Sequence, residues 1–111
     1  MPTRNQQQRN DCPFELAMDL LASKWKGMII FELQDKHLRY GELQDLLPKI
    51  SNRMLTRTLA ILEDDKIVIK TPLPNQDKIF TYTLSAIGKK FIPVFMSIRN
   101  WALEYKAVIN A

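Results

Sequence analysis

The most specific arrangement of charged side chains lies in residues 50–68, ISNRMLTRTLAILEDDKIV. If this segment is a helix, with about 100° between successive residues, Leu59 and Leu62 lie within about 40° of Leu55, and the three leucines form one apolar side. Arg53, Thr56 and Arg57 lie on the opposite side. Guanidinium groups bind phosphate or the O6 and N7 atoms of guanine, and threonine offers a hydroxyl or a methyl group to a base. This side is therefore suited to nucleic acid, although exposed arginine and threonine also occur on ordinary solvated helices.

The start of the same helix carries further groups that bind anions. Ser51 is expected to cap the helix, so Ser51 and Asn52 lie where free backbone N–H groups and the helix dipole attract phosphate. The stretch from Lys49 to Arg57 contains three basic residues and no acidic residue, whereas acidic residues occupy positions 63–65. Acidic residues at that end suit a helix that is leaving a DNA groove.

Other residues that could do chemistry are few. Cys12 is the only cysteine and His37 the only histidine, so one chain has no intramolecular disulfide and no zinc site of four cysteine and histidine ligands. The glycines are dispersed and form no phosphate-binding loop. Carboxylate pairs such as Glu15 and Asp19 have no nucleophile or metal ligands beside them. The sequence therefore predicts no enzyme, no cofactor and no metal site.

The composition predicts one globular domain. Apolar residues make up 46% of the chain and charged residues 25%, and the net charge is +4, which mildly favours an anionic partner. No stretch approaches the roughly 18 apolar residues of a membrane span. Residues 1–11, MPTRNQQQRND, lack the apolar segment of a signal peptide and predict a flexible arm. We therefore expect a cytoplasmic protein that makes no use of a membrane.

Apolar periodicity divides the first half of the domain, residues 12–111, into helices. Pro13 suits the first turn of a helix whose apolar residues recur at helical spacing, namely Phe14, Ala17, Met18 and Leu21. Ser23 is expected to cap a second helix, whose core-facing residues are expected to be Trp25, Met28, Ile29 and Leu33. The segment DKHLRY could hold a very short strand. GELQDLLPK predicts a third helix, with Gly41 at its cap and Pro48 closing it.

The second half predicts a hairpin and a long helix. KIVIKTPL and KIFTYTL, joined by the turn PNQD, form an antiparallel hairpin over residues 67–84. Ser85 is expected to cap a final helix over about residues 85–108, which Pro93 should kink or split. Two helices joined by PKI and followed by a hairpin predict an α+β, mostly helical fold, the winged helix-turn-helix.

Three segments resemble the HxlR-type family of winged helix-turn-helix transcription regulators. They are DCPFELAMDLLASKWKGMIIFEL, RYGELQDLLPKISNRMLTRTLAILEDDKIV and YTLSAIGKKFIPV, and they span about residues 11–96. The family pattern has a Cys-Pro start, a Lys-Trp in the second helix, an I-S-x-R-M-L-T start of the recognition helix and a T-L-T-x-x-G entry to the last helix. The chain departs from this pattern at Asp35-Lys36, where Asp-Gly is usual, at Gly41, where Ser is usual, and in the wing.

The resemblance implies a homodimer that binds double-stranded DNA and dimerises through its N-terminal and C-terminal helices. With a two-fold axis, the operator is expected to be palindromic, with residues 51–64 in the major groove and the hairpin on the backbone. The expected DNA contacts are Arg39, Lys49, Ser51, Asn52, Arg53, Thr56, Arg57, Lys70 and Lys78. The apolar stripe of the last helix is too long for one small core to cover. The expected dimer contacts are Phe14, Met18, Phe91, Phe95, Ile98, Trp101 and Tyr105.

Cys12, just before Pro13, resembles the redox- or electrophile-sensing cysteine of some family members. A helix N-terminus stabilises a thiolate, whereas the adjacent carboxylate of Asp11 disfavours one. A small buried residue without a sensing role is the alternative. Two other functions stay open: a winged-helix protein-interaction module without DNA binding, and an enzyme with Cys12 as nucleophile, for which no base is placed. The effector and the operator sequence do not follow from the residues.

Overall fold

Within residues 12–111, the chain folds into five helices and a two-stranded hairpin. The computed structural model describes these residues apart from the side chain of Asp77, and the arm expected at residues 1–11 lies outside them. The elements in chain order are α1 Pro13–Ala22, α2 Lys24–Leu33, α3 Tyr40–Leu46, α4 Asn52–Asp64, β1 Val68–Leu73, β2 Gln76–Leu84 and α5 Ala86–Ile109. This order confirms the mostly helical α+β, winged helix-turn-helix fold predicted from the sequence.

Helix α2 lies at the centre of the domain and packs against α1, α3, α4, α5 and β2. Its buried residues are Lys26, Gly27, Ile29, Ile30 and Leu33. With about 100° per residue, this buried arc turns away from Met28, which is 38% exposed. The expectation that Met28 faces the core is therefore wrong, and Ile30 is buried instead. Trp25 packs half-buried at the edge of the core.

Two residues that are not large and apolar complete the buried side of α2. The ammonium group of Lys26 lies 3.3 Å from Asp19 Oδ2 of α1, and this ion pair compensates the burial of a charged side chain. Gly27 faces Phe95 of α5, because a Cβ atom at this position would lie 2.9 Å from the ring. The missing side chain at Gly27 therefore permits the close approach of α2 and α5.

The turn that joins α3 to α4 is anchored by a buried residue at each end. Leu47 and Ile50 are both buried, and Ile50 N–H donates to the carbonyl of Leu47 at 3.1 Å. Helix α3 is capped at Arg39, whose N–H donates to Glu42 Oε1 at 2.8 Å. Gly41 lies inside the first turn of α3, so the expectation that it caps this helix is wrong.

The hairpin is tied to the helices at its base. Strands β1 and β2 pair antiparallel in one register as far as Pro72, after which the register shifts and residues 77–79 form an irregular stretch of β2. Asn75 takes a φ of 63° in the tight turn, a conformation that asparagine tolerates well. Leu38 forms a β-bridge with Tyr82, with N···O distances of 3.0 and 2.7 Å. In place of the very short strand that DKHLRY could hold, the structure has this isolated bridge at Leu38.

A compact junction connects the end of α4 to the start of α5. Lys66 has a φ of 64°, and Ile67 N–H donates to the carbonyl of Leu62 at 2.9 Å, as in a Schellman cap. Ser85 Oγ donates to the carbonyl oxygens of Lys66 and Ile67, at 2.7 and 3.1 Å, and accepts from Gly88 N–H at 3.1 Å. The cap predicted at Ser85 is confirmed, and the same hydroxyl holds the two helices together.

Helix α5 is 24 residues long and continues through Pro93, so it is not split there. Proline cannot donate a backbone hydrogen bond, but Phe91 and Ile92 hold the preceding turn against the core. Gly88 is the only buried residue of α5, and the half after Pro93 is largely exposed. Neither α5 nor any other helix in residues 12–111 has the length and hydropathy for a membrane crossing.

Gly88→Ala is expected to destabilise the protein. The added methyl group would lie 2.5 Å from the carbonyl oxygen of Ile67, and a backbone atom cannot rotate away, so we expect a loss of about 1–3 kcal/mol. Gly41→Ala is the matched control, because no heavy atom lies within 4 Å of the new Cβ and alanine should stabilise the helix by about 0.5–1 kcal/mol. Urea unfolding followed by circular dichroism measures both changes. Wild-type stability of Gly88→Ala would contradict the close approach of α5 to Ile67.

Candidate nucleic-acid interface

Helix α4 buries one side and exposes the other. Its buried residues are Leu55, Thr58, Leu59 and Leu62. Thr58 can lie among leucines because its hydroxyl donates to the carbonyl of Met54 at 2.7 Å. Arg53, Thr56 and Arg57 are exposed. The division into a buried and an exposed side predicted from the sequence is therefore confirmed, with Thr58 as an addition to the buried side.

The start of α4 presents hydrogen-bond donors to solvent. Ser51 Oγ accepts from Met54 N–H at 3.1 Å, which confirms the predicted cap and leaves the hydroxyl proton of Ser51 available to an anion. The N–H groups of Asn52 and Arg53 belong to the first turn, where no helical carbonyl precedes them as a partner. Ser51, Asn52 and Arg53 are all exposed, so this end of the helix can bind an anion.

Tyr40 of α3 binds two residues of α4 through its hydroxyl. The Tyr40 Oη atom lies 2.9 Å from the carbonyl oxygen of Asn52, 3.4 Å from Asn52 Oδ1 and 3.0 Å from Thr56 Oγ1. Gln44, one turn further along α3, donates from Nε2 to Asn52 Oδ1. Two of the predicted DNA-contacting side chains, Asn52 and Thr56, are thus oriented by α3.

Sequence reasoning did not identify Tyr40 and Gln44 as part of this site. Their signal is the spacing of four residues, which places both on the same side of α3. Tyrosine and glutamine have long side chains that end in hydrogen-bonding groups. An argument from the spacing of apolar residues does not identify such positions. Tyr40 and Gln44 connect α3 and α4 by polar contacts, whereas leucines of both helices belong to the shared apolar core.

Two further predicted DNA contacts flank α3. Arg39 is the cap residue before α3, and Lys49 lies in the turn between α3 and α4. Both side chains are exposed. The structure therefore leaves both cations accessible, one before α3 and one after it.

The two predicted contacts on the hairpin differ in their surroundings. Lys70 Nζ lies 4.6 Å from the ring centre of Phe80 and 5.9 Å from that of Tyr82, so cation–π attraction holds its ammonium group along the hairpin. Lys78 is exposed in the irregular stretch of β2 close to the turn. Lys78 is therefore the more freely oriented cation of the wing.

Tyr82 anchors the base of the hairpin as a neutral residue. Its side chain is almost fully buried. Burial raises the pKa of the Tyr82 phenol above its ordinary value, and the negative charge of Glu63 and the neighbouring Tyr40 raise it further. The uncharged phenol and the backbone bridge to Leu38 fix the hairpin relative to the helices.

The predicted dimer contacts fall into two groups. Phe91 and Phe95 are half-buried within the chain, and the Phe95 ring lies 5.9 Å from the ring of Phe31 and 6.3 Å from that of Phe91. The others are exposed, namely Phe14 and Met18 on α1 and Ile98, Trp101 and Tyr105 on α5. Trp101 is 61% exposed and stacks on Tyr105 at 5.0 Å. These exposed residues form an apolar surface that the single chain does not cover.

A groove of about 450 Å³ runs between α1 and the first half of α5. Its walls are mostly apolar and include Leu16, Leu20, Ile67, Phe91 and Val94. Cys12 lies at one end of α1, directly before Pro13, which lines this groove. The cysteine is half-buried and is the N-cap residue of α1, but its side chain makes no capping hydrogen bond.

Comparison with known protein families gives a match over most of the chain. The profile of the family described as HxlR-like helix-turn-helix matches residues 20–110. The match therefore contains α3, α4 and the hairpin, together with all the predicted DNA contacts.

Individual relatives from Bacillus subtilis (strain 168) match over similar lengths. The uncharacterized HTH-type transcriptional regulator YdeP is 34% identical over 99 residues, which cover 89% of this chain and 77% of YdeP. The HTH-type transcriptional regulator YodB is 36% identical over 95 residues, which cover 85% of each chain.

Solved structures show the same fold. The reduced form of YodB superposes with a TM-score of 0.74 at 36% identity, covering 82% of this chain and 90% of that one. The redox regulator HypR in its reduced form gives a TM-score of 0.78 at 29% identity, covering 89% and 98%. YodB has also been solved with quinone bound and after diamide treatment, and HypR in its oxidised form.

Proposed function

Because the chain belongs to the HxlR-like helix-turn-helix family and is a DNA-binding transcriptional regulator, we propose that α4 enters the major groove of its operator. One observation carries this proposal. Arg53, Thr56 and Arg57 are exposed on the side of α4 that faces away from the core, while the leucines opposite them are buried. The buried side fixes the helix, and the exposed side offers groups that read base edges.

In this arrangement the two arginines bind bases and the helix start binds phosphate. Each guanidinium can donate two hydrogen bonds to O6 and N7 of a guanine. The positive end of the helix dipole favours a phosphate oxygen. Hydrogen-bond donors are available there from the hydroxyl of Ser51 and the backbone N–H groups of Asn52 and Arg53. Phosphate contacts fix the position of the protein, and base contacts supply the specificity.

The remaining cations are proposed to contact the DNA backbone. Lys78, near the tip of the hairpin, and Lys70, held on the Phe80 ring, would lie along phosphates beside the major groove. Arg39 and Lys49 would do the same on either side of α3. We place the protein in the cytoplasm of its cell, where it would meet its operator.

We propose that two chains form the active unit by pairing their terminal helices. After Pro93, α5 has an apolar stripe at helical spacing, Val94, Ile98, Trp101, Tyr105 and Val108, all of them at least 39% exposed. Soluble monomers rarely leave such a surface in water. A two-fold axis through α5, with Phe14 and Met18 of α1 contributing, would cover it and set the two α4 helices on successive turns of a palindromic operator.

Cys12 is proposed to make DNA binding responsive to oxidants or electrophiles. It is the only cysteine, lies half-buried at the N-terminus of α1, and adjoins the groove between α1 and α5. HypR has been solved in reduced and oxidised forms, and YodB in a reduced form and after diamide treatment. A disulfide of Cys12 could form only with another chain or with a small thiol, so modification would act at the surface proposed for dimerisation.

Arg53→Ala and Arg57→Ala should weaken operator binding without affecting the fold. Each loses a two-pronged base contact, at a cost of about 1–3 kcal/mol. Arg99→Ala, which removes the same charge from α5, is the matched control and should bind as wild type does. Fluorescence anisotropy with a labelled operator measures the affinities. Wild-type affinity of both α4 variants would contradict the groove assignment, and a lack of salt-dependent binding to duplex DNA would favour a protein-interaction module.

Lys78→Gln should weaken binding to all DNA sequences alike. Loss of one phosphate contact lowers the slope of log affinity against log salt concentration by about one unit. Lys106→Gln, at the far end of α5, serves as the control and should leave the slope unchanged. A titration at several salt concentrations decides the point. An effect of Lys78→Gln that is confined to one operator variant would show that Lys78 contacts a base.

Trp101→Asp should convert the dimer to a folded monomer. Trp101 is exposed in the single chain and stacks on Tyr105, which is exposed as well, so the new charge spares the core and disturbs the contact between copies. Phe95→Asp would also disturb the packing on Phe31. Asn100→Asp places the same charge beside it, on the polar stripe formed with Ser97 and Glu104, and should stay dimeric. Sedimentation at micromolar concentration separates the states. A wild-type protein with the mass of one 13.0 kDa chain would refute the dimer and the palindromic operator.

Oxidant or quinone treatment should change operator affinity in the wild-type protein and leave Cys12→Ser unaffected. Anisotropy before and after treatment, followed by reduction with dithiothreitol, measures the response. Mass spectrometry of the treated protein distinguishes an interchain disulfide from a small-molecule adduct. An equal response of the two proteins would remove Cys12 from the mechanism.

A further inference from the structure

The hydrogen bonds around Tyr40 determine which way the hydroxyl of Thr56 points. Tyr40 has one phenolic proton, and its oxygen lies 2.9 Å from the carbonyl oxygen of Asn52 and 3.0 Å from Thr56 Oγ1. A carbonyl oxygen cannot donate. If Tyr40 donated to Thr56 instead, two acceptor oxygens would face each other at 2.9 Å. Both contacts are satisfied only when Tyr40 donates to Asn52 and Thr56 donates to Tyr40.

Gln44 strengthens this direction of donation. Its Nε2 group donates to Asn52 Oδ1, and Tyr40 lies further from that oxygen, at 3.4 Å, than from the Asn52 carbonyl. The shorter distance therefore places the Tyr40 proton on the backbone carbonyl of Asn52, and Gln44 supplies a donor to the side-chain oxygen of Asn52. The chain of donation runs from Thr56 through Tyr40 to Asn52.

We infer that Tyr40 sets base specificity by making Thr56 a hydrogen-bond acceptor towards the DNA. This inference rests on the proposed placement of α4 in the major groove. With its proton directed at Tyr40, the exposed Thr56 oxygen offers only lone pairs. In the major groove the donors are the N6 amino group of adenine and the N4 amino group of cytosine, whereas guanine and thymine present acceptor oxygens. Thr56 therefore selects adenine or cytosine at the strand position that it faces.

Tyr40 acts here as a positioning residue, and its effect differs from that of a merely structural residue. Tyr40→Phe removes the acceptor for the Thr56 proton, and the freed hydroxyl can then donate to guanine or thymine as well. The affinity for DNA can remain, but the preference at one position should fall. A structural role alone would lower the affinity for every sequence equally.

The test is affinity selection from a random duplex library, followed by sequencing, with wild type, Tyr40→Phe, Thr56→Val and the double variant. In the wild-type motif we expect adenine or cytosine at one strand position of each half-site. A single neutral hydrogen bond is worth roughly two- to tenfold in affinity, so the preference should fall by that factor in either single variant. The double variant should lose no more than Thr56→Val alone, because both changes remove the same contact. The other motif positions are the internal control.

The outcomes separate the inference from the function on which it rests. A wild-type motif whose preference at every position survives in Tyr40→Phe overturns the inference and leaves the groove placement intact. The inference is also overturned if the wild-type motif has no position at which a preference for adenine or cytosine is lost in Thr56→Val. If the wild-type protein enriches no motif at all, the proposed function fails, and the inference with it. Thermal unfolding of each variant verifies that it is folded, and Thr56→Val, at an exposed position, tests the contact if Tyr40→Phe is unstable.

Discussion

The burial of three leucines fixes the orientation of α4 and therefore determines which of its sides is exposed. Leu55, Leu59 and Leu62 are at most 2% exposed, and each fully buried leucine contributes about 1.5–3 kcal/mol. A neutral hydrogen bond such as those of Tyr40 contributes about 0.5–1.5 kcal/mol. Apolar packing therefore sets the axis of α4, whereas the weaker polar contacts with α3 adjust how individual side chains are presented. This division lets a single hydroxyl change the reading of DNA without moving the helix.

The leucine stripe of α4, the caps at Ser51 and Ser85 and the hairpin followed from the sequence, because they depend on local periodicity and on side-chain oxygens near helix starts. The buried side of α2 did not. Lys26 is buried because Asp19 on another helix neutralises it, and Gly27 because a ring from α5 needs its space. Both causes lie outside the local sequence. The apolar pattern therefore favoured Met28, which lies outside the buried side of α2 and is 38% exposed.

In the candidate site as well, some polar residues depend on contacts with another helix and could not be identified from the local sequence. Arg53 and Arg57 could be assigned from one helix alone, because the leucines determine which side is open. Tyr40 and Gln44 could not, because their role depends on the crossing of α3 and α4, which brings the Tyr40 hydroxyl to Asn52 and Thr56 across 12 and 16 residues of sequence.

The junction at Ser85 connects α4 and α5 so closely that a rotation there would displace the far ends of both helices. One hydroxyl joins the end of α4 to the first turn of α5, and the contact of Gly88 with Ile67 leaves no slack between them. At about 1.5 Å per residue, α5 is about 36 Å long and α4 about 20 Å. A rotation of about 5° at the junction thus moves the far end of α5 by about 3 Å but the far end of α4 by less than 2 Å. Because α4 is the shorter of the two helices, a displacement at the far end of α5 reaches the far end of α4 at little more than half its size.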